Sequence, residues 1–154
     1  MSGLSGSGLE GLYQQLILEH SKARHGEGVL DHADASHHEL NPSCGDELTL
    51  QVRLADDGER VEAVAWQGDG CSISMASTSV LVDLVAGASV AESLERADAF
   101  RTMLRSKGAG EPDEDLLGDA IAFHGVSKYV MRVKCAMLPW VALEAAVAKA
   151  QAAR

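Results

Sequence analysis

Leu48-Thr49-Leu50-Gln51-Val52-Arg53-Leu54 is followed by Ala55-Asp56-Asp57-Gly58-Glu59-Arg60, then by Val61-Glu62-Ala63-Val64-Ala65-Trp66, and the run closes on Gly68-Asp69-Gly70-Cys71. In the first segment Leu48, Leu50, Val52 and Leu54 alternate with polar residues. That period of two is the mark of a strand with one face on a core. Asp57-Gly58 supplies a tight turn. On the return, Val61, Ala63 and Ala65 alternate with Glu62, Val64 and Trp66, which completes a β-hairpin. Beyond Gly68-Asp69-Gly70 the period changes. Ile73, Ala76, Val80, Leu81 and Leu84 recur at helical spacing, and Gly87 is placed to end the helix.

Working outward, Leu9, Leu12, Tyr13, Leu16, Ile17 and His20 mark an amphipathic helix from Leu9 to about Lys22. Residues 23–37 are polar and read as a loop, and His37–Leu40 as a short third strand. Ser89 begins another helix that reaches about Arg105, with Glu92 at the capping-box spacing. Residues 106–115 are loop-like, and 116–127 follow neither period. The last helix is expected from about Ala136 to Gln151. The whole predicts an α+β domain, a small antiparallel β-sheet of about three strands packed with helices. Residues 1–8, rich in Gly and Ser, read as a flexible tail before a single domain over residues 9–150.

The chain has 154 residues, 46% of them hydrophobic and 4% aromatic. That is enough apolar material for one core built mainly of aliphatic side chains. Its metal-free form is therefore expected to be weakened rather than unfolded. The net charge of -10 opposes contact with nucleic-acid phosphates. No apolar run approaches the length of about 18 residues that spans a membrane, and the first residues lack the pattern of a secretory leader. The expected location is cytoplasmic, with no membrane and no nucleic acid as partner.

Three cysteines stand in chemically distinctive settings: Asn41-Pro42-Ser43-Cys44-Gly45-Asp46, Gly70-Cys71-Ser72 and Lys134-Cys135-Ala136. An odd number cannot pair fully within the chain, and a reducing compartment disfavours disulfides. Cys71 precedes a helix, where free N–H groups and the dipole favour a thiolate. Pro139 is comfortable only in a first helical turn, so Cys135 is expected near the start of its helix. Cys44 lies in a turn, with Asp46 two residues on and able to face the same side of an extended segment. Three thiolates and a carboxylate form a complete tetrahedral set for zinc. Together they carry a charge of about −4, and Arg132 and Lys134 are candidates to balance what a divalent ion leaves. The spacing lacks a Cys-X-X-Cys pair, so by itself it makes a metal site plausible and no more.

Taken in order, Leu12–His20, Asn41–Asp46, Gly68–Ala76 and Arg132–Ala136 resemble the U-type iron–sulfur cluster assembly proteins, the SufU, IscU and NifU N-terminal-like family. The resemblance covers about residues 9–150. Two features resemble the SufU branch. Lys134 stands where IscU scaffolds carry histidine, and Cys71 and Cys135 stand 64 positions apart, the extra length falling around 100–123. Ser21-Lys22-Ala23-Arg24 departs from the segment that many relatives carry after the first helix.

The resemblance implies a zinc-dependent sulfurtransferase, with one Zn²⁺ held by Cys44, Asp46, Cys71 and Cys135. It implies that a SufS-type cysteine desulfurase delivers persulfide sulfur and that the SufBCD scaffold complex receives it. It also implies that a partner histidine displaces Cys44 from the metal, freeing it as the nucleophile. Cys44 is the expected acceptor, with Cys135 second.

The same cysteines would suit a transient iron–sulfur cluster on a scaffold, or a purely structural zinc module. A Cys/His hydrolase needs a histidine beside its nucleophile, and the histidines are His20, His25, His32, His37, His38 and His124. His32, His37 and His38 read as a polar loop cluster with some capacity for metal, and His20 as a packed or interfacial side chain. Gly68-X-Gly70 lacks the Lys-Ser/Thr of a phosphate loop. The acidic residues at 111–115 lack calcium-loop spacing.

Overall fold

A computed structural model describes residues 7–154. The first helix, α1 (Ser7–Ala23), is followed by three strands, β1 (Ala35–Asn41), β2 (Asp46–Leu54) and β3 (Val61–Asp69). Helices α2 (Ser72–Val85) and α3 (Val90–Arg105) come next. A short α4 (Glu114–Leu117), a 3-10 stretch (Gly118–Lys128) and the long α5 (Val130–Ala152) complete the chain. Residues 7 and 8 of the expected tail belong to α1, and residues 1–6 lie outside the described residues.

The sheet is antiparallel in the order β1-β2-β3. Leu48, Leu50, Val52 and Leu54 are buried on one face of β2, as their alternation requires. The strict alternation expected on β3 does not hold. The register shifts between Arg53 and Leu54, so that Leu54 pairs with Val61 while Val52 pairs with Val64 and Leu50 with Trp66. This irregularity changes which residues share a face. Val61, Val64 and Trp66 are all buried, although their spacing breaks the period of two.

Helix α5 lies across β1 and β2 and against α2, and α1 packs on α2. Ser89 caps α3 by accepting the Glu92 N–H at 3.0 Å. Gly87, at φ 85°, lies just past the end of α2. The segment 116–127, which showed neither period, is where the chain adopts α4 and the 3-10 stretch. It buries Leu117, Ala120, Ala122, Phe123 and Val126. Phe123 meets Phe100 edge-on at 5.7 Å, and Phe100 stacks on Trp140 at 5.0 Å.

The expected start of the last helix is wrong. α5 begins at Val130, five residues before Cys135, and Pro139 sits inside it. An interior proline costs about 3 kcal/mol. The helix offsets this by burying Cys135, Ala136, Leu138, Trp140 and Leu143 against the sheet and α2. Next to the carbonyl that Pro139 cannot serve, Ser77 Oγ donates to the Ala136 carbonyl at 2.6 Å, and Trp140 Nε1 donates to Ser77 Oγ at 3.2 Å. Trp140 thus joins the aromatic stack to the α2–α5 contact. Trp140→Ala is expected to lower unfolding free energy by about 3–5 kcal/mol, read as a lower urea midpoint with the native far-UV circular dichroism retained.

Candidate metal centre

Cys44 with Asp46, Cys71 and Cys135 come from three separate places in the sequence. Asn41 and Asp46 pair at the β1–β2 hairpin end, which leaves residues 42–45 as the connecting turn. Gly45 takes φ 71° there, a left-handed conformation that glycine adopts without strain. Asp46 is the first residue of β2 and is fully buried. Cys71 is the N-cap of α2, as the glycines before it suggested. Cys135 reaches the same point from the interior of α5, and it too is fully buried.

The Asp46 carboxylate organises the group. Its Oδ1 accepts the Cys71 backbone N–H at 2.8 Å, and its Oδ2 lies 3.8 Å from Cys71 Sγ. Donor atoms of Cys44, Asp46 and Cys135 all lie within 4.8 Å of one another. A tetrahedral ion with bonds of about 2.0–2.3 Å sets its donors roughly 3.3–3.8 Å apart. Those three residues are a small contraction away from tetrahedral spacing, while Cys71 stands outside the group of three and is joined to it through Asp46, 3.8 Å from its Sγ. Burial, first, and then the nearby Cys44, Cys71 and Asp46 push the Cys135 thiol well above the ordinary thiol range. Crowded acidic donors of this kind are the environment in which a cation replaces protons. Arg132 and Lys134 are both exposed on the first turns of α5.

Three neighbours were not picked out in the sequence. Asn41 is buried and directs Nδ2 toward Cys135 Sγ at 3.8 Å. Ser74 Oγ lies 3.6 Å from Cys71 Sγ and donates to the Cys71 carbonyl at 3.0 Å. The Met131 carbonyl lies 3.5 Å from Cys135 Sγ and 3.9 Å from Cys44 Sγ. Ser74, three residues after the N-cap, had a legible signal. Met131 had none, because its role depends on α5 starting early.

The histidines expected to cluster do not. His37 and His38 are adjacent on β1, so they point to opposite faces. His37 pairs with Glu39 at 2.8 Å and His38 with Glu47 at 3.3 Å, while His32 is exposed in the preceding loop. His20 is buried as expected, between Ser79 and Asp119. In the acidic stretch 111–115, Asp113 caps α4 through the N–H groups of Asp115 and Leu116.

The family model for the NifU-like N terminal domain matches residues 12–136, a span that holds Cys44, Asp46, Cys71 and Cys135. The chain belongs to this family. Within it, the chain is 41% identical over 143 residues to the zinc-dependent sulfurtransferase SufU of Bacillus subtilis, covering 92% of each. It is 40% identical over 141 residues to the iron–sulfur cluster assembly scaffold protein IscU of Streptococcus pyogenes, covering 92% of this chain and 86% of that one. A solved NifU-like N-terminal structure from Brucella abortus superposes with a TM-score of 0.84 at 26% identity, over 96% of this chain and all of that one. The fold is that of the IscU/SufU proteins, and the family is one of iron–sulfur cluster assembly.

Gly70 tests how tightly the centre is built. A methyl group there would meet the Asp46 carboxylate and come within 2.7 Å of Ser74 Oγ. Gly70→Ala is expected to retain the helical circular dichroism yet lose bound divalent metal on dialysis against a weak chelator, with metal content measured by atomic emission.

Proposed function

We propose that this protein is a zinc-dependent sulfurtransferase that accepts persulfide sulfur at Cys44 from a SufS-type cysteine desulfurase and passes it to the SufBCD machinery. The observation that carries this reading is the inequality among the three thiols. Cys135 is fully buried within a helix, and Cys71 is tied to Asp46 and Ser74 at a helix start. Cys44 and Cys71 are both part-exposed, but Cys44 lies in a turn and its sulfur makes only a long contact to the Met131 carbonyl at 3.9 Å among hydrogen-bonding partners of the described residues.

Zinc held by Cys44, Asp46, Cys71 and Cys135 would keep the thiols as thiolates. Such a four-ligand set is closed, so one donor must leave before it can react. Cys44 can swing out on the Gly45 turn without unwinding a helix or a strand. The freed Cys44 thiolate attacks the outer sulfur of the donor persulfide. A new S–S bond forms on Cys44, the donor's S–S bond breaks, and the donor cysteine leaves as a thiolate. No external oxidant or reductant is needed.

The surroundings suit a protein donor. Tyr129, Val130 and Met131 are exposed beside Cys44, although they are apolar or aromatic. A separate groove of about 620 Å³ lies between α1, the start of α2 and the end of the 3-10 stretch, lined by Tyr13, Ile73, Val126, Tyr129 and Arg132. Among the described residues no helix is long and apolar enough to cross a membrane.

A scaffold that assembles a cluster is the second reading. Three convergent thiols suit iron as well as zinc, and the Streptococcus relative is named a scaffold. Lys134, where IscU scaffolds carry histidine, favours transfer. Protein purified anaerobically without added metal is expected to hold about one zinc per chain and no acid-labile sulfide. Iron with matching sulfide would put the scaffold first. With the desulfurase and cysteine, wild type is expected to gain one sulfane sulfur detectable by mass spectrometry, while Cys44→Ser gains none. Normal persulfidation of Cys44→Ser would overturn the assignment of Cys44.

A further inference from the structure

A second group of ligand-type side chains stands apart from the cysteine centre, on the far part of the α1–α2 contact. His20, His25 and Asp83 each present a donor atom, and the three atoms lie within 4.8 Å of one another. The fold brings them together in a specific way. His20 is on the last turn of α1. Arg24 at φ 50° and Gly26 at φ 81° then reverse the chain. Gly26 packs so closely on Val82 that a Cβ there would lie 2.7 Å from its side chain. This reversal sets His25 over α2, where Asp83 lies one turn after Ser79.

We infer that His20, His25 and Asp83 form a second site, for a single borderline divalent cation such as Zn²⁺, Co²⁺ or Ni²⁺. The donor set of two imidazoles and a carboxylate suits these ions. His25 Nδ1 is already 2.8 Å from the Asp83 carboxylate. The two imidazole rings meet edge-on with centroids 5.1 Å apart.

The supporting contacts are those a ligating histidine requires. His20 Nδ1 is 2.9 Å from Ser79 Oγ and His20 Nε2 is 3.1 Å from Asp119 Oδ2. Whichever ring nitrogen faces the ion, the other keeps a partner that fixes the tautomer and the ring plane. Ser79 Oγ also accepts the His25 backbone N–H at 3.0 Å, so one hydroxyl steadies both histidines. His25 and Asp83 are exposed, which leaves an entry path and room for water as a fourth ligand. The chain's net charge of -10 favours a cation. A bound ion would clamp the end of α1 to the last turn of α2.

Cobalt titrated into the protein as purified, with its cysteine centre already loaded, gives the test. The expected result is saturation at about one added equivalent, with visible d–d bands but no near-ultraviolet thiolate charge transfer, since the donors are nitrogen and oxygen. His25→Ala and Asp83→Asn, both at exposed positions, are each expected to weaken this binding by more than about tenfold with circular dichroism unchanged. Cys44→Ser is expected to leave it intact. Absence of a saturable d–d signal in wild type would overturn the site, and so would binding that survives unchanged in both variants. Added cobalt whose signal carries thiolate bands and vanishes in Cys44→Ser would place the ion at the cysteines and overturn it equally. A signal of thiolate bands alone would also count against a preloaded cysteine centre, whereas a thiolate-free d–d signal lost in His25→Ala and Asp83→Asn supports this site whatever the cysteines hold.

Discussion

Asp46 is fully buried yet carries a carboxylate, and its one backbone donor is the Cys71 N–H at 2.8 Å. Burying a carboxylate beside three thiols is costly unless a positive partner compensates it. Everything around the centre answers to that constraint. The β1–β2 turn, the end of β3, the start of α2 and the second turn of α5 all converge on one small volume. Each contributes an acidic donor or the backbone that holds one. No Lys or Arg ion pair enters the group among the described residues. A cation held by these donors would neutralise it.

The same constraint explains the close packing of small residues nearby. At Gly68 a Cβ would approach Leu48 Cα to 2.9 Å, and at Gly70 it would displace the Asp46 carboxylate. β3 can therefore pass close to β2 and deliver Cys71 only because these positions lack side chains. On the opposite flank, Ser77 and Trp140 fix α5 to α2, and so set the depth at which Cys135 sits. The aromatic stack of Phe123, Phe100 and Trp140 extends that support into α3 and the 3-10 stretch. The core and the centre share residues, so stability and chemistry are coupled here. Only Cys44 hangs on a turn that can move without disturbing the core.

Much of this was legible in the sequence. Alternation in β2, the Asp-Gly turn, the helical period after Cys71, and Ser89 three residues before Glu92 each encode a local preference that the fold keeps. The Gly-Asp-Gly-Cys junction marked Cys71 as a helix start because capping is a local matter of a few residues. Asp46, two residues after Cys44, was legible for the same reason. The misreadings occur where local preference was overruled. Pro139 disfavours a helix running through it, yet burial of the α5 face outweighs that penalty. The β2–β3 register shift puts Val64 and Trp66 in the core along with Val61, a rearrangement that no single strand announces. His37 and His38 looked like a cluster because they are adjacent, and a strand separates adjacent side chains.

The sequence by itself determined most element types, the hairpin, the settings of Cys44 and Cys71 and the family resemblance, because each depends on short-range periodicity or on a contiguous motif. Only the tertiary structure decided that Cys135 is buried while Cys44 is reachable, and that His25 meets His20 and Asp83 across a reversed chain. Those facts depend on where distant segments pack, and packing is governed by the total apolar surface buried rather than by the preference of any one segment.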